Sequence, residues 1–258
     1  MTTAPEYVYG IHAVDGLLRS KPRSVQPLWI QQGRQDKRIN ALLELAQNQG
    51  VPVARQSRQD LDTRVDGRHQ GVVAEVLPGP QGAQSQGGNQ WTQKQLLSYL
   101  DALQAPALLL VLDGVTDPHN LGACLRSADA AGVDAVIVPK DRSADLTPTV
   151  RKVACGAAEV VPFVRVTNLS RALEALKERG IWIYGAAGEA EKTIYDSNLQ
   201  GPMALVMGAE GSGLRRLTRE NCDFLVKLPM AGLVSSLNVS VATGVCLFEA
   251  VRQRNFGA

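Results

Sequence analysis

No apolar run in this 258-residue chain reaches the ~18–20 residues that a membrane-spanning helix needs. The opening, MTTAPEYVYGIHAV, has no basic stretch followed by an apolar one, the pattern of an export signal. The expectation is a cytoplasmic protein with no membrane partner. Metal and redox chemistry have little to work with. His12, His69 and His119 are scattered, and no two of Cys124, Cys155, Cys222 and Cys246 form a CxxC pair. Neither zinc spacing nor a redox pair is present, so no metal is expected. Cys124 and Cys246 fall in apolar helical patterns, where a reduced thiol packs as a small hydrophobe. Charge of one sign is scarce too. The net charge of +2 argues neither for nor against a nucleic-acid partner. Residues 1–78 hold ten Lys/Arg against eight Asp/Glu, whereas 106–258 hold sixteen of each. The small N-terminal excess includes Arg19, Lys21, Arg23, Arg34, Lys37 and Arg38. It suits a phosphate-facing surface and, equally, an ordinary solvated face.

What is present is ample core material, 45% apolar against 20% charged, in a length comfortable for two domains. The boundary is GPQGAQSQGGNQWTQ, residues 79–93. So little aliphatic surface cannot offset the entropy of ordering, and the stretch reads as a flexible linker. Residues 1–78 form a small α/β domain, with helices over 10–19 and 36–48 and strands at Leu28–Ile30, Val51–Val53 and Val72–Val76. Residues 79–105 supply the linker and a short helix near 93–103. From 106 to 258, strands alternate with helices. Strands are expected at 107–112, 134–138, 160–164, 181–186, 203–207 and 224–228, with helices near 120–131, 149–157, 169–179 and 238–254. That alternation predicts a mostly parallel sheet with helices on both faces, binding its ligand at the carboxyl ends of the strands.

Three loops at those ends carry unusual residues. The first, DPHNLGACLRSA from Asp117, follows an unbroken apolar strand. Asn120 has the chemistry of a helix cap there, and Arg126 that of a solvent-facing helix residue or a bidentate phosphate grip. The second, LVMGAEGSGL, holds Gly208, Gly211 and Gly213 around Glu210. It has neither the dinucleotide G-x-G-x-x-G order nor a P-loop lysine. A carboxylate has no packing use in so tight a turn. In the third, LPMAGLVSSLNVSVA, either Ser236 or Asn238 suits the cap of the last helix. One cap leaves the other polar residues of the loop without a purpose, which points to a cofactor or a partner chain. The closing helix itself, with Val239, Val241, Val245, Leu247, Phe248 and Val251, is apolar over more than one ~100° stripe.

In this order the three loops closely resemble the motifs of the SpoU (TrmH-type) branch of the SPOUT methyltransferases. The opening YGIHAV resembles the substrate-binding domain of the bacterial 23S rRNA guanosine-2′-O-methyltransferases. The resemblance covers nearly the whole chain except the linker. It implies a C-terminal methyltransferase domain threaded into a trefoil knot, which periodicity alone would never suggest. It further implies a homodimer with composite sites, and a ribosomal-protein-like RNA-binding domain at the N-terminus. By that resemblance Asn120, Arg126, Glu210, Ser236 and Asn238 are catalytic. Gly208, Leu228, Met230 and Leu237 hold S-adenosylmethionine.

The implied reaction is attack of a ribose 2′-hydroxyl on an activated methyl group, with 23S rRNA as the favoured substrate and tRNA the alternative. The protein must orient the reactants and remove one proton. An arginine ordinarily titrates near 12.5, so making any arginine a base at pH ~7.5 costs roughly 7 kcal/mol at ~1.36 per unit. Holding the phosphate and the hydroxyl is a cheaper role for Arg126, with Glu210 and Asn120 expected to orient it. A non-catalytic RNA-binding protein is the rival reading, but it leaves Glu210 and the third loop idle.

Overall fold

A computed structural model describes residues 6–20, 25–65, 67–76 and 89–256. Positions 79–88 of the expected linker, together with Lys21 and Arg23, lie outside the described residues. The N-terminal unit runs β1 (Glu6–Tyr9), α1 (Ile11–Ser20), β2 (Val25–Gln31), α2 (Lys37–Asn48), β3 (Val53–Gln56), α3 (Arg58–Asp62) and β4 (Val72–Val76). Its sheet has the order β1-β4-β2-β3, with β4 antiparallel to both neighbours and β2 parallel to β3. On one face Val14, Leu17 and Leu18 of α1 and Ile39 and Leu42 of α2 pack on Leu28, Ile30 and Ala74. On the other, Leu61 of α3 closes over Trp29 and Val73.

Next come β5 (Gln90–Trp91), α4 (Gln93–Ala102), β6 (Leu108–Asp113), α5 (Pro118–Ala130), β7 (Ala135–Pro139), α6 (Pro148–Ala154), α7 (Ala157–Val160) and β8 (Phe163–Val166). They are followed by α8 (Leu169–Lys177), β9 (Trp182–Ala186), β10 (Lys192–Thr193), β11 (Met203–Gly208), α9 (Arg216–Glu220), β12 (Phe224–Lys227) and α10 (Val239–Phe256). The eight strands pair in parallel in the order β10-β12-β9-β11-β6-β7-β8-β5. Helices cover both faces, as the apolar strands require. Along β6 the side chains alternate between two cores. Leu108, Leu110 and Leu112 join Leu121, Val150 and Leu247 on the side of α5, α6 and α10. Leu109 and Val111 join Leu96, Leu173 and Leu176 on the side of α4 and α8.

The single helix expected over 149–157 is broken in two. Cys155 and Gly156 both take left-handed backbone, at φ 54° and 100°. The break serves domain docking. An ideal Cβ on Gly16 of α1 would lie 2.9 Å from the Gly156 carbonyl oxygen, and one on Gly156 would lie 2.6 Å from that of His12. Backbone thus meets backbone where the N-terminal unit rests on the C-terminal one. At the far end of α10, the Arg254 guanidinium donates to the carbonyls of Pro106, Ala107, Leu199 and Gly201, tying that helix to the starts of β6 and β11.

Close packing of α5 on α6 places the first loop. At Gly122 a Cβ would sit 2.7 Å from Val153 Cβ and 2.9 Å from the Val150 carbonyl. Gly122→Ala is therefore expected to destabilise the protein by about 1–3 kcal/mol despite alanine's better helix propensity. Urea unfolding midpoints of the two proteins check this, and an unchanged or raised midpoint would show that α5 and α6 can separate freely.

Candidate cofactor and catalytic site

β6 and β11 are neighbours, and their last residues, Asp113 and Gly208, are partners in register. The first and second loops therefore leave the sheet side by side. Asp113 is fully buried at the strand end, where an unpaired carboxylate would be costly. Arg215 answers it. Its backbone N–H donates to Oδ2 at 3.0 Å and its Nε–H to Oδ1 at 2.5 Å, and Nη2 completes the ion pair. This pins the far end of the second loop to the strand that launches the first. Between the pins, Ala209 and Gly213 exchange backbone hydrogen bonds of 3.1 and 2.9 Å, closing a tight turn. Gly208 has no alternative, because a Cβ there would lie 2.2 Å from the Gly213 carbonyl carbon.

The turn presents Glu210 to the other two loops. Glu210 Oε1 accepts from Asn120 Nδ2 at 2.8 Å and from Asn238 Nδ2 at 2.8 Å, and Asn238 Nδ2 also donates to Asn120 Oδ1 at 2.9 Å. One residue from each loop closes this triangle, with Asn120 buried and Glu210 and Asn238 exposed at the rim. Asn238 does two jobs. Its Oδ1 accepts from the Ser240 N–H at 2.9 Å and the Ser240 hydroxyl at 2.6 Å, which caps α10. Asn120 is no cap: Asp117 fills that place through the His119 N–H at 2.9 Å, with Pro118 opening α5.

Beside the triangle opens a cleft of about 710 Å³. Gly208, Leu228, Met230 and Leu237 line it, as do Glu210, Ser236 and Asn238. Its charged lining is balanced, Glu189 and Glu210 against Arg219 and Lys227, and Glu189 pairs with Arg219. Cys246 is also part of its lining, and burial pushes that thiol up to about 12 and the Cys124 thiol to about 11, so both stay protonated and inert. Among the described residues no three His, Cys, Asp or Glu side chains converge as a metal site, and no helix is long and apolar enough to cross a membrane.

Arg126 stands apart. It is absent from the cleft lining, and its Nη1 donates instead to Cys155 Sγ at 3.7 Å. The expectation that Glu210 and Asn120 orient it does not hold within one chain, since their bonds go to each other and to Asn238. The reason is helical geometry. Six residues beyond Asn120, at ~100° each, Arg126 lies about 120° away around α5. Sequence reading also passed over Asp113 and Arg215. The available signal was a carboxylate ending a strand buried on both faces, which demands a charged partner.

Residues 107–248 match the model of the SpoU rRNA Methylase family, and residues 7–81 that of RNA 2′-O ribose methyltransferase substrate binding. The chain belongs to the SpoU family. It is 61% identical over 249 residues to a protein of Pseudomonas putida named 23S rRNA (guanosine-2′-O-)-methyltransferase RlmB, covering 96% of this chain and 97% of that one. A protein of the same name from Escherichia coli K12 is 58% identical over 251 residues, covering 97% and 99%. Among solved structures, the SpoU methyltransferase AviRb from Streptomyces viridochromogenes in complex with AdoMet superposes with a TM-score of 0.73 at 26% identity, covering 97% of this chain and 90% of that one.

If the Asp113–Arg215 pair sets the second loop, breaking it is costly. Arg215→Met is expected to lower stability by about 2–3 kcal/mol, below the ~3–5 typical of a wholly buried pair because Arg215 is partly exposed. Adding Asp113→Asn should recover part of that loss, since no charge then remains buried. A double-mutant cycle in urea that returns purely additive losses would contradict the pairing.

Proposed function

We propose that this protein transfers the methyl group of S-adenosylmethionine to the ribose 2′-hydroxyl of a guanosine in 23S rRNA, in the cytoplasm. One observation carries the reading. The three loops of a SpoU chain, about 60% identical to full-length relatives bearing that activity in their names, converge on one hydrogen-bonded triangle beside one cleft. In the division of labour that goes with it, residues 1–78 hold RNA and 106–258 carry the chemistry, joined across 79–105. The knotted threading implied by the family resemblance belongs to the same reading.

The cleft fits the cofactor on chemical grounds. It offers apolar Leu228, Met230 and Leu237 for a flat base, and charges of both signs for a ligand that carries both. Gly208 and the turn it opens contribute to its wall. The bound cofactor supplies an already activated methyl group. The protein's tasks are then to orient the ribose, exclude water and remove one proton. Glu210 Oε1 is occupied by two amides, while Oε2 has no partner among the described residues and faces the rim, available to the ribose or to the proton leaving it. Ser236, exposed on the same rim, can donate to the substrate. The guanidinium of Arg126 grips the adjoining phosphate bidentately.

Arg126 reaches a site of this kind from a second subunit. Val241, Val245 and Phe248 of α10 are exposed, Phe248 by 48%, so the face expected from the helix's apolar surplus is uncovered in one chain. The same helix meets α5 beside Arg126, a Cβ on Gly244 lying 3.6 Å from Ser127 Oγ. A two-fold contact through α5 and α10 would bury that face and carry Arg126 to the partner's cleft.

Mapping ribose methylation across total RNA from cells with and without the protein tests the substrate. One guanosine of 23S rRNA should change, and a change confined to tRNA would overturn the assignment. Arg126→Ala should abolish methyl transfer and leave cofactor affinity, read by calorimetry, nearly intact. Retention of a tenth of the wild-type rate would remove Arg126 from the centre of the reaction. Phe248→Asp and Val245→Asp should dissociate the dimer and lower activity together. Sedimentation at micromolar concentration decides this, and a folded, fully active monomer would refute the composite site.

A further inference from the structure

A second cleft, of about 810 Å³, lies in the N-terminal unit and shares no lining residue with the first. It opens at the carboxyl ends of β1, β2 and β3, between the start of α2 and the loop that precedes β4. Five cations line it, Arg34, Lys37, Arg38, Arg58 and Arg68, against two acids, Asp36 and Asp62. Both acids are already engaged. Asp36 Oδ1 caps α2 through the N–H groups of Arg38 and Ile39, and its Oδ2 accepts from Arg34 Nε at 2.9 Å. Asp62 accepts from the ring of buried His69 at 2.9 Å. That ring has a defined tautomer: Nδ1 accepts the Gly71 N–H at 2.9 Å, so Nε2 carries the proton given to Asp62. Lys37, Arg38 and Arg68, by contrast, are exposed and have no ion pair among the described residues.

The wall of the cleft is built in advance. Arg34 also donates to the Gln70 carbonyl, and Gln70, at φ 51°, accepts the Ile11 N–H on its side-chain oxygen. The loop 67–71 is thereby tied to α1, to the β2–α2 turn and to α3. Little ordering entropy remains to be lost when a ligand enters. A concave, polar, pre-ordered site with three uncompensated cations selects an extended polyanion whose successive phosphates can meet them in turn.

We propose that this cleft is where the N-terminal unit holds its substrate, and that it takes the sugar–phosphate backbone of a single-stranded or looped RNA segment through Lys37, Arg38 and Arg68. The proposal rests on the reading above that the substrate is rRNA, and it assigns the grip to these three residues. The contact is electrostatic and positional, with base identity read elsewhere. Arg34 and the His69–Asp62 pair position the loop and do not themselves bind.

The test compares the full-length wild type, the variant Lys37→Gln/Arg38→Gln/Arg68→Gln and a control with the same charge loss on the other unit, Lys94→Gln/Arg171→Gln/Lys192→Gln. Binding to transcribed 23S rRNA is measured by filter retention across a salt series, with methyl transfer and cofactor affinity alongside. The cleft variant should bind about tenfold or more weakly near 0.1 M salt, and its log–log salt slope should fall by roughly two to three, at ~0.7–0.9 per phosphate contact. Its KM for rRNA should rise with kcat within about twofold and cofactor affinity unchanged, while the control binds as wild type does. Wild-type binding and slope in the cleft variant, or an equal loss in the control, would overturn the proposal. Binding is read without chemistry. A wild type that binds rRNA through this cleft yet methylates none would therefore uphold the proposal and sink the catalytic reading.

Discussion

The site depends on the pairing of β6 with β11 and on the charge sealed at the end of that pairing. Parallel strands of a covered sheet bury their last residues as deeply as their first, so a carboxylate at such an end has no water to turn to. At Asp113 the answer comes from Arg215, on the far side of a glycine turn. Everything between is constrained by that closure. The turn must reverse within a few residues, Gly208 must lack a side chain, and Glu210 must project from the apex toward the neighbouring loops. A buried ion pair is weak evidence for stability. Here its consequence is geometric, since it converts a flexible glycine loop into a platform of one shape.

Asn238 extends that constraint to the last helix. One amide satisfies two demands, with the oxygen closing the orphaned start of α10 and the nitrogen joining Asn120 and Glu210. The position of α10 is thus read at the site, and the reverse is equally true. The exposed Val241, Val245 and Phe248 begin less than one turn beyond the cap. Whatever covers that apolar face bears on the rigid element that also aims the triangle.

Most of the architecture was legible in the sequence because the alternation of apolar strands with helical periodicity is long and regular. Loop composition singled out the three loops, while Gly208, Leu228, Met230 and Leu237 were named only through the resemblance to the SpoU motifs, and they line the cleft. The failures have local physical causes. β1, β5 and β10 are too short to show a period. The helix over 149–157 keeps an apolar pattern straight through its break, and only the contact with Gly16 explains why Cys155 and Gly156 turn left-handed. Asn120 has the chemistry of a cap, but Asp117 followed by Pro118 takes that role three residues earlier. Arg126 was set beside Asn120 by the family resemblance, which also implies a second subunit at the site. A stretch of helix has faces, and six residues carried the guanidinium to another.

The electrostatics of the two units follow from what each has to hold. The C-terminal cleft balances its charges, which suits a ligand carrying both signs. The N-terminal cleft leaves cations unpaired by spending both of its acids on a helix cap, on Arg34 and on His69. A net charge of +2 conceals this arrangement, because the excess depends on which carboxylates are already engaged. The docking of α1 on the Cys155–Gly156 turn links the two regimes. Gly16 touches one side of that turn, and Arg126 reaches Cys155 on it. On the proposed reading, an RNA segment gripped by the N-terminal unit would be registered against Arg126, the residue assigned to hold its phosphate. The registration passes through a backbone contact too tight to slip without strain.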